Sequence, residues 1–158
     1  MTREKAQSGP SVTIERRGRA GAVVSAAQAR ALARAAAKLL VVAGRPQASL
    51  AISLVDDAEI HALNRMYRDT DGATDVLSFS LVEGDAVRGD AFALGDVVIS
   101  VETAARRKKR GLEGELLHLL THGICHLCGL DHATPAEARV MFAEERRLRA
   151  AARLPETR

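Results

Sequence analysis

The sequence predicts an α+β fold of a single domain, in which a mixed sheet of about four strands packs with about five helices. Three observations carry that reading. The 158 residues suffice for one hydrophobic core but not two. Short alternating apolar runs of strand length occur between segments whose apolar residues repeat every three or four positions. With 47% hydrophobic and 27% charged residues, the composition is that of an ordinary soluble globular protein.

Taken in order, residues 1–10 are polar, contain Gly9 and Pro10, and are expected to form a disordered tail ahead of a folded domain at 11–158. A strand is expected at Val12 to Arg16, ended by the Gly18 to Gly21 stretch. From Ser25 to Val42, Ala29, Leu32, Ala36 and Leu39 mark one face of a helix, with Ser25 as N-cap and Gly44 and Pro46 as the stop. Leu50, Ile52 and Leu54 alternate as a strand. Asp56 or Asp57 caps a helix carrying Ile60, Leu63 and Tyr67 on one side. Asp69 to Gly72 reads as a loop, and Val76 to Phe79 and Val97 to Ile99 as two further strands. Helices follow at about 101–109 and 112–128, then from Pro135 to Ala152 with Thr134 as cap.

No apolar run approaches the length of a membrane span, and no export signal is read at the N-terminus, so no membrane association and a cytoplasmic location are expected. Two cysteines, Cys125 and Cys128, are too few and too close for a disulfide framework, in keeping with a reducing compartment. A net charge of +3 does not by itself imply nucleic acid. Its distribution says more: Arg106, Arg107, Lys108, Lys109 and Arg110 are contiguous. Such a run is either a solvated helix end or a surface that attracts phosphates.

Most of the chemical information lies between Gly114 and His132. His122 and His126 are four apart, so on a helix they sit about 40° apart in azimuth and about 6 Å apart along the axis. Two imidazoles so placed converge on one cation. Gly129 ends the helix in a left-handed turn, and His132 arrives three residues later as a third ligand. Asp131 is placed to orient one imidazole. Three nitrogen ligands leave a fourth position for water, the arrangement of a catalytic zinc. Leu116, Leu120, Ile124 and Leu127 cluster on the opposite side of the helix, so one side serves the core and the other lines a cleft. His118 lies about 12 Å along the axis from His126 and does not share the metal. It either supports the site or packs. Cys128 points about 160° from His126, and no strand precedes the pair, so the two cysteines read as packing residues.

These segments resemble the YbeY family of ribosomal RNA maturation endoribonucleases. The stretch from His122 to His132 is similar to its HGxLHLxGyDH signature. Leu63, Asn64, Tyr67 and Arg68 match its LNxxYR segment, Thr74 to Phe79 its TDVLSF segment, and Leu94 to Ser100 its LGDIvIS strand. Met141 also falls where the family tends to carry methionine. The resemblance runs from about 48 to 148, in the family's order, and departs from it at Cys125, Cys128 and Ser80. It implies a single-strand-specific, metal-dependent endoribonuclease acting in 16S rRNA 3′-end maturation and ribosome quality control. Zinc, one per chain, would be held by His122, His126 and His132. It further implies a functional arginine at Arg68 and, as partners, single-stranded RNA of the 16S precursor and the small ribosomal subunit with its assembly proteins. His122 and Arg68 are then the catalytic candidates of a metal-dependent hydrolase domain.

Two rival readings are weighed beside it. One is a non-catalytic small-subunit assembly factor whose zinc is structural, although such a site is normally closed by a fourth protein ligand. The other is a metallopeptidase-like hydrolase. A zincin helix carries glutamate after its first histidine, and here that position is Gly123.

Overall fold

The computed structural model describes residues 9–68, 74–81, 93–107 and 109–155, with the Arg68 side chain outside that set. The expected tail therefore falls largely outside the described residues, as do the 69–72 loop and Lys108. Four strands, β1 (Ser11–Arg16), β2 (Ser49–Val55), β3 (Val76–Ser80) and β4 (Ala93–Ser100), form one mixed sheet in the order β1-β2-β4-β3. β1 and β4 lie parallel to β2, and β3 is antiparallel to β4. Among the described residues there are six helices: α1 (Ala20–Val23), α2 (Ala26–Val42), α3 (Asp57–Arg68), α4 (Val101–Arg106), α5 (Gly111–Leu127) and α6 (Pro135–Ala151). The helix beyond the expected five is α1, a single turn that buries Ala20 where the sequence suggests only a glycine-marked strand end. Tyr67, on the same side of α3 as Ile60 and Leu63, is 61% exposed and meets the Phe79 ring edge to face at 5.5 Å between centroids.

Two apolar clusters divide the molecule at the sheet. On one face, Leu50, Ile52 and Leu54 of β2 and Val97 and Ile99 of β4 meet Leu32 and Leu39 of α2 and Leu116, Leu120 and Ile124 of α5. On the other, Val98 of β4 and Leu77 of β3 pack with Ile60 of α3. β4 is thus covered on both faces, which is why its Leu-Gly-Asp-Val-Val-Ile run departs from strict alternation. The ends of α2 and α6 are set by their own chemistry. Ser25 and Gln28 form a reciprocal capping box, and Thr134 Oγ1 accepts from the Glu137 amide at 3.1 Å ahead of Pro135.

The start of α3 is tied to the start of α4 through one carboxylate. Asp57 accepts from Ser100 Oγ at 2.6 Å, Thr103 Oγ1 at 2.7 Å and Arg106 Nη1 at 2.6 Å. Partial burial works against its charge, yet the hydrogen bonds from Arg106, Ser100 and Thr103 outweigh that and draw its pKa from 3.8 down to about 2. A folded-state pKa below the unfolded one stabilises the fold above pH 3.8, and the contribution is lost as pH falls through about 2. Asp57→Asn therefore lowers stability at neutral pH by about 1–2 kcal/mol and flattens the acid limb of the stability curve. Urea midpoints measured from neutral pH into that window check both; an acid limb unchanged by the substitution excludes this role.

Candidate metal centre

Helix α5 is buried nearly all round. Its leucine side packs into the main core as the azimuths require, and its opposite side carries the histidines at the wall of a cleft of about 670 Å³. The facing wall is β3, with Thr74 and Asp75 just before it. The helix comes unusually close to the sheet. A Cβ at Gly123 would stand 2.8 Å from Val97 Cγ1 and 3.2 Å from Ser78 Oγ, and Ser78 Oγ itself donates to the Gly123 carbonyl at 3.2 Å. A side chain there would push the helix off the sheet. The position that carries glutamate in a zincin helix thus lacks the space for one as well as the residue.

At its C-terminus α5 closes with a Schellman turn. The Gly129 amide donates to His126 O at 3.0 Å and the Leu130 amide to Cys125 O at 3.1 Å, with Gly129 at φ +96°. The reversal brings His132 back against the helix. The ring centroids of His122, His126 and His132 lie 4.7 to 5.2 Å apart, and one ligand nitrogen from each lies within 4.8 Å of the others. All three sequence-predicted ligands therefore come together. The other catalytic candidate, Arg68, ends α3, and its side chain lies outside the described residues.

The donor chemistry of the cluster fits a cation. His122 Nδ1 is 2.8 Å from Glu145 Oε1, and His126 Nδ1 is 2.9 Å from the Leu130 carbonyl. Both partners are acceptors, so each Nδ1 carries the proton and each Nε2 presents a lone pair. Those two Nε2 atoms face each other at 3.2 Å. Two lone pairs at that distance repel, and a shared cation converts the repulsion into ligation. Zinc–nitrogen bonds of about 2.0–2.1 Å in tetrahedral geometry would separate two ligand nitrogens by about 3.3 Å. Charging His126 is disfavoured, since burial and then the adjacent His122 and His132 push its pKa below 6.5.

Glu145 is the residue that sequence reasoning missed. It is 2% exposed, on the inner face of α6 beside Met141, Leu148 and Arg149. A glutamate one turn after a core methionine, within an apolar stripe, is the signal that marks it. It performs the role expected of Asp131, whose Oδ1 instead accepts from the His132 backbone amide at 2.7 Å. A short carboxylate next to its ligand bends back to the neighbouring amide more readily than it reaches a ring. Arg149, also buried, supplies positive charge near Glu145, at the cost of a pKa lowered by its own desolvation.

The remaining candidates sort plainly. His118 takes no part in the ligand cluster, and its buried Nδ1 has no hydrogen-bond partner among the described residues. Cys125 and Cys128 are free thiols, and burial drives the Cys125 pKa up to about 12, which suits packing and not redox exchange. Of the basic run, Arg106 pairs with Asp57, Arg107 with Asp75 and the fully buried Glu115, and Arg110 with Glu115. Two of its cations thus hold a buried carboxylate of α5, and the third ties α4 to α3, which is structural work.

Comparison with known proteins gives one family. The family model described as endoribonuclease YbeY matches residues 16–153. A protein named endoribonuclease YbeY from Anaeromyxobacter sp. (strain Fw109-5) is 49% identical over 123 residues, covering 76% of this chain and 62% of the relative. Another of that name, from Pelotomaculum thermopropionicum, is 42% identical over 120 residues, covering 72% of this chain and 79% of the relative. The chain spans about 62% of the length of the two Anaeromyxobacter relatives. The solution structure of TM1509 from Thermotoga maritima matches with a TM-score of 0.57 at 27% identity, over 89% of this chain and 88% of that one.

Two outcomes follow from the geometry. Glu145→Gln weakens divalent-metal binding about 10- to 100-fold, read by chelator competition with added metal, because a neutral amide accepts from the His122 ring more weakly than a carboxylate and enriches it less. Unchanged affinity would dismiss the pair as incidental. The metal-free chain also loses stability as pH falls below 6.5, because His126 must take up a proton on unfolding that it resists when folded. His126→Gln removes that part of the slope in thermal melts recorded from pH 7.5 downward.

Proposed function

The chain belongs to the family described as endoribonuclease YbeY, and from that premise we propose that it is a zinc-dependent endoribonuclease. Its substrate is single-stranded RNA at the 3′ end of the 16S rRNA precursor, met on the small ribosomal subunit together with the subunit's assembly proteins, in the cytoplasm. The observation that carries the reading is the pair of Nε2 lone pairs facing each other at 3.2 Å on the wall of an open cleft. Among the described residues, no fourth histidine, cysteine or carboxylate joins the three histidines. That supports an open position over a closed structural site, and so favours an enzyme over an assembly factor with a structural zinc. The crowding at Gly123 weighs against the peptidase alternative. No helix among the described residues is long and apolar enough to cross a membrane.

The ligands are His122, His126 and His132. Zinc bound by them supplies Lewis acidity toward a phosphate oxygen and acidifies water. The protein's own part is orientation and charge. Glu145 and the Leu130 carbonyl hold two imidazoles in the tautomer that offers Nε2. Leu127 and Leu130 give the cleft apolar wall that limits water around a bound phosphodiester. Arg68, at the end of α3, binds the phosphate with its guanidinium fork and offsets the charge that develops there. The attacking group is either water or the ribose 2′-OH.

Cleavage of a labelled single-stranded RNA with the 16S 3′ precursor sequence tests the reading. The native chain cleaves it, His126→Ala does not, and Arg68→Ala retains its zinc while losing about 10²- to 10³-fold in rate. Equal cleavage by native and His126→Ala protein would refute the metal site as the catalyst. A 2′,3′-cyclic phosphate product identifies the ribose hydroxyl as nucleophile, and its absence identifies water.

A further inference from the structure

With Arg106, Arg107 and Arg110 engaged by carboxylates, an electrostatic footprint for RNA has to be sought elsewhere on the molecule. Helix α2 carries one. Between Ala26 and Val42 it holds no acidic residue, and Arg30, Arg34 and Lys38 recur every fourth position on its exposed side. Each step is about 6 Å along the axis, so the three cations form a stripe about 12 Å long. None of them enters an ion pair among the described residues. Like charges at this spacing oppose one another, so the arrangement costs the isolated fold and is relieved by an anion.

The surroundings favour a phosphate backbone over an acidic protein segment. Beside the cations the exposed side chains are the alanines Ala27 and Ala31, which reach no further than their Cβ, and the one large apolar side chain exposed on the helix is Val41, at its far end. The stripe also runs alongside the helix that carries two of the histidines. At one end of α2, Gln28 Nε2 donates to Glu113 Oε1 at 3.3 Å, near the start of α5. Just past the other end, exposed Arg45 lies beside Cys128, at the end of α5 where the chain turns toward His132. The two helices therefore run side by side in the same sense, and the stripe points along α2 toward Arg45, which stands beside the end of α5 where the chain turns to His132.

We propose that the outer face of α2 is a phosphate track, on which the RNA strand extending from the metal cleft lies along Arg30, Arg34 and Lys38. This rests on the endoribonuclease reading above and adds to it the course of the substrate outside the cleft. The track binds by charge alone, without reading bases.

The test is the salt dependence of binding to a labelled uridine homopolymer long enough to reach from the cleft past Arg30, followed by fluorescence anisotropy on zinc-loaded protein. A neutral variant (Arg30→Gln, Arg34→Gln, Lys38→Gln) is compared with a charge-keeping one (Arg30→Lys, Arg34→Lys, Lys38→Arg), and zinc content confirms that both are folded. At about 0.7 per phosphate contact, the neutral variant's log–log salt slope becomes shallower by about 2, while the charge-keeping variant retains the native slope. Equal slopes for the native and neutral proteins overturn the track, and so does a native chain whose binding is insensitive to salt. A short oligomer confined to the cleft separates the two proposals. Native and neutral proteins cleave it at the same rate if both proposals hold. If the native chain cleaves no RNA, the endoribonuclease reading fails, and the salt slopes still decide the track by themselves.

Discussion

The contact between α5 and the sheet at Gly123 is the constraint on which the remaining architecture depends. One helix has to close the main core with Leu116, Leu120 and Ile124 while presenting His122 and His126 to solvent on its other side. Both are satisfied only if the helix sits against Val97 and Ser78 more closely than any side chain at 123 permits. That proximity sets the width of the cleft, because β3 is at once the surface the helix rests on and the opposite wall. It also explains why the open side of the helix carries histidines and no general base at 123. The space is taken by the sheet.

Around this contact the protein buries an unusual amount of charge for its size. Glu115 is fully enclosed and met by two arginines, and Glu145 is enclosed against His122 with Arg149 near it. Buried ion pairs contribute little net stability against apolar packing of the same volume. Their value here is positional. Glu115 fixes the chain between α4 and α5, and through Arg107 joins it to Asp75 on the cleft rim. Glu145 fixes a ring whose tautomer decides whether it offers a lone pair. Removing one partner of either set leaves a charge stranded in the interior, so each is demanding of its neighbours.

Much of this was legible in the sequence, for reasons that are local. The four-residue spacing of His122 and His126 and the glycine at 129 are short-range facts, and the three histidines they single out do come together. The same holds for Ser25 and Thr134 as caps. The strand at Leu50 to Leu54 announced itself by alternation, whereas β4 had to be recognised from three residues because burial on both faces erases the period. What escaped were pairings across long separations. Nothing in the basic run discloses that Arg106 will meet Asp57, 49 residues away. Likewise Glu145 meets His122 only because α6 folds back on α5. Asp131 was preferred because it is adjacent in the chain, yet adjacency left it nearer to an amide than to a ring.

The Schellman turn at Gly129 divides the three candidate ligands by rigidity. Two histidines belong to a helix clamped by the core, with their rings anchored at Nδ1, and the third stands exposed on the segment beyond the turn. An ion arriving from solution would thus meet two fixed imidazoles and be enclosed by a single further side chain. Only the exposed His132 would have to move for that. An ion seated there would keep its orientation while gaining or losing that one ligand, so its arrival and departure would ask nothing of the core.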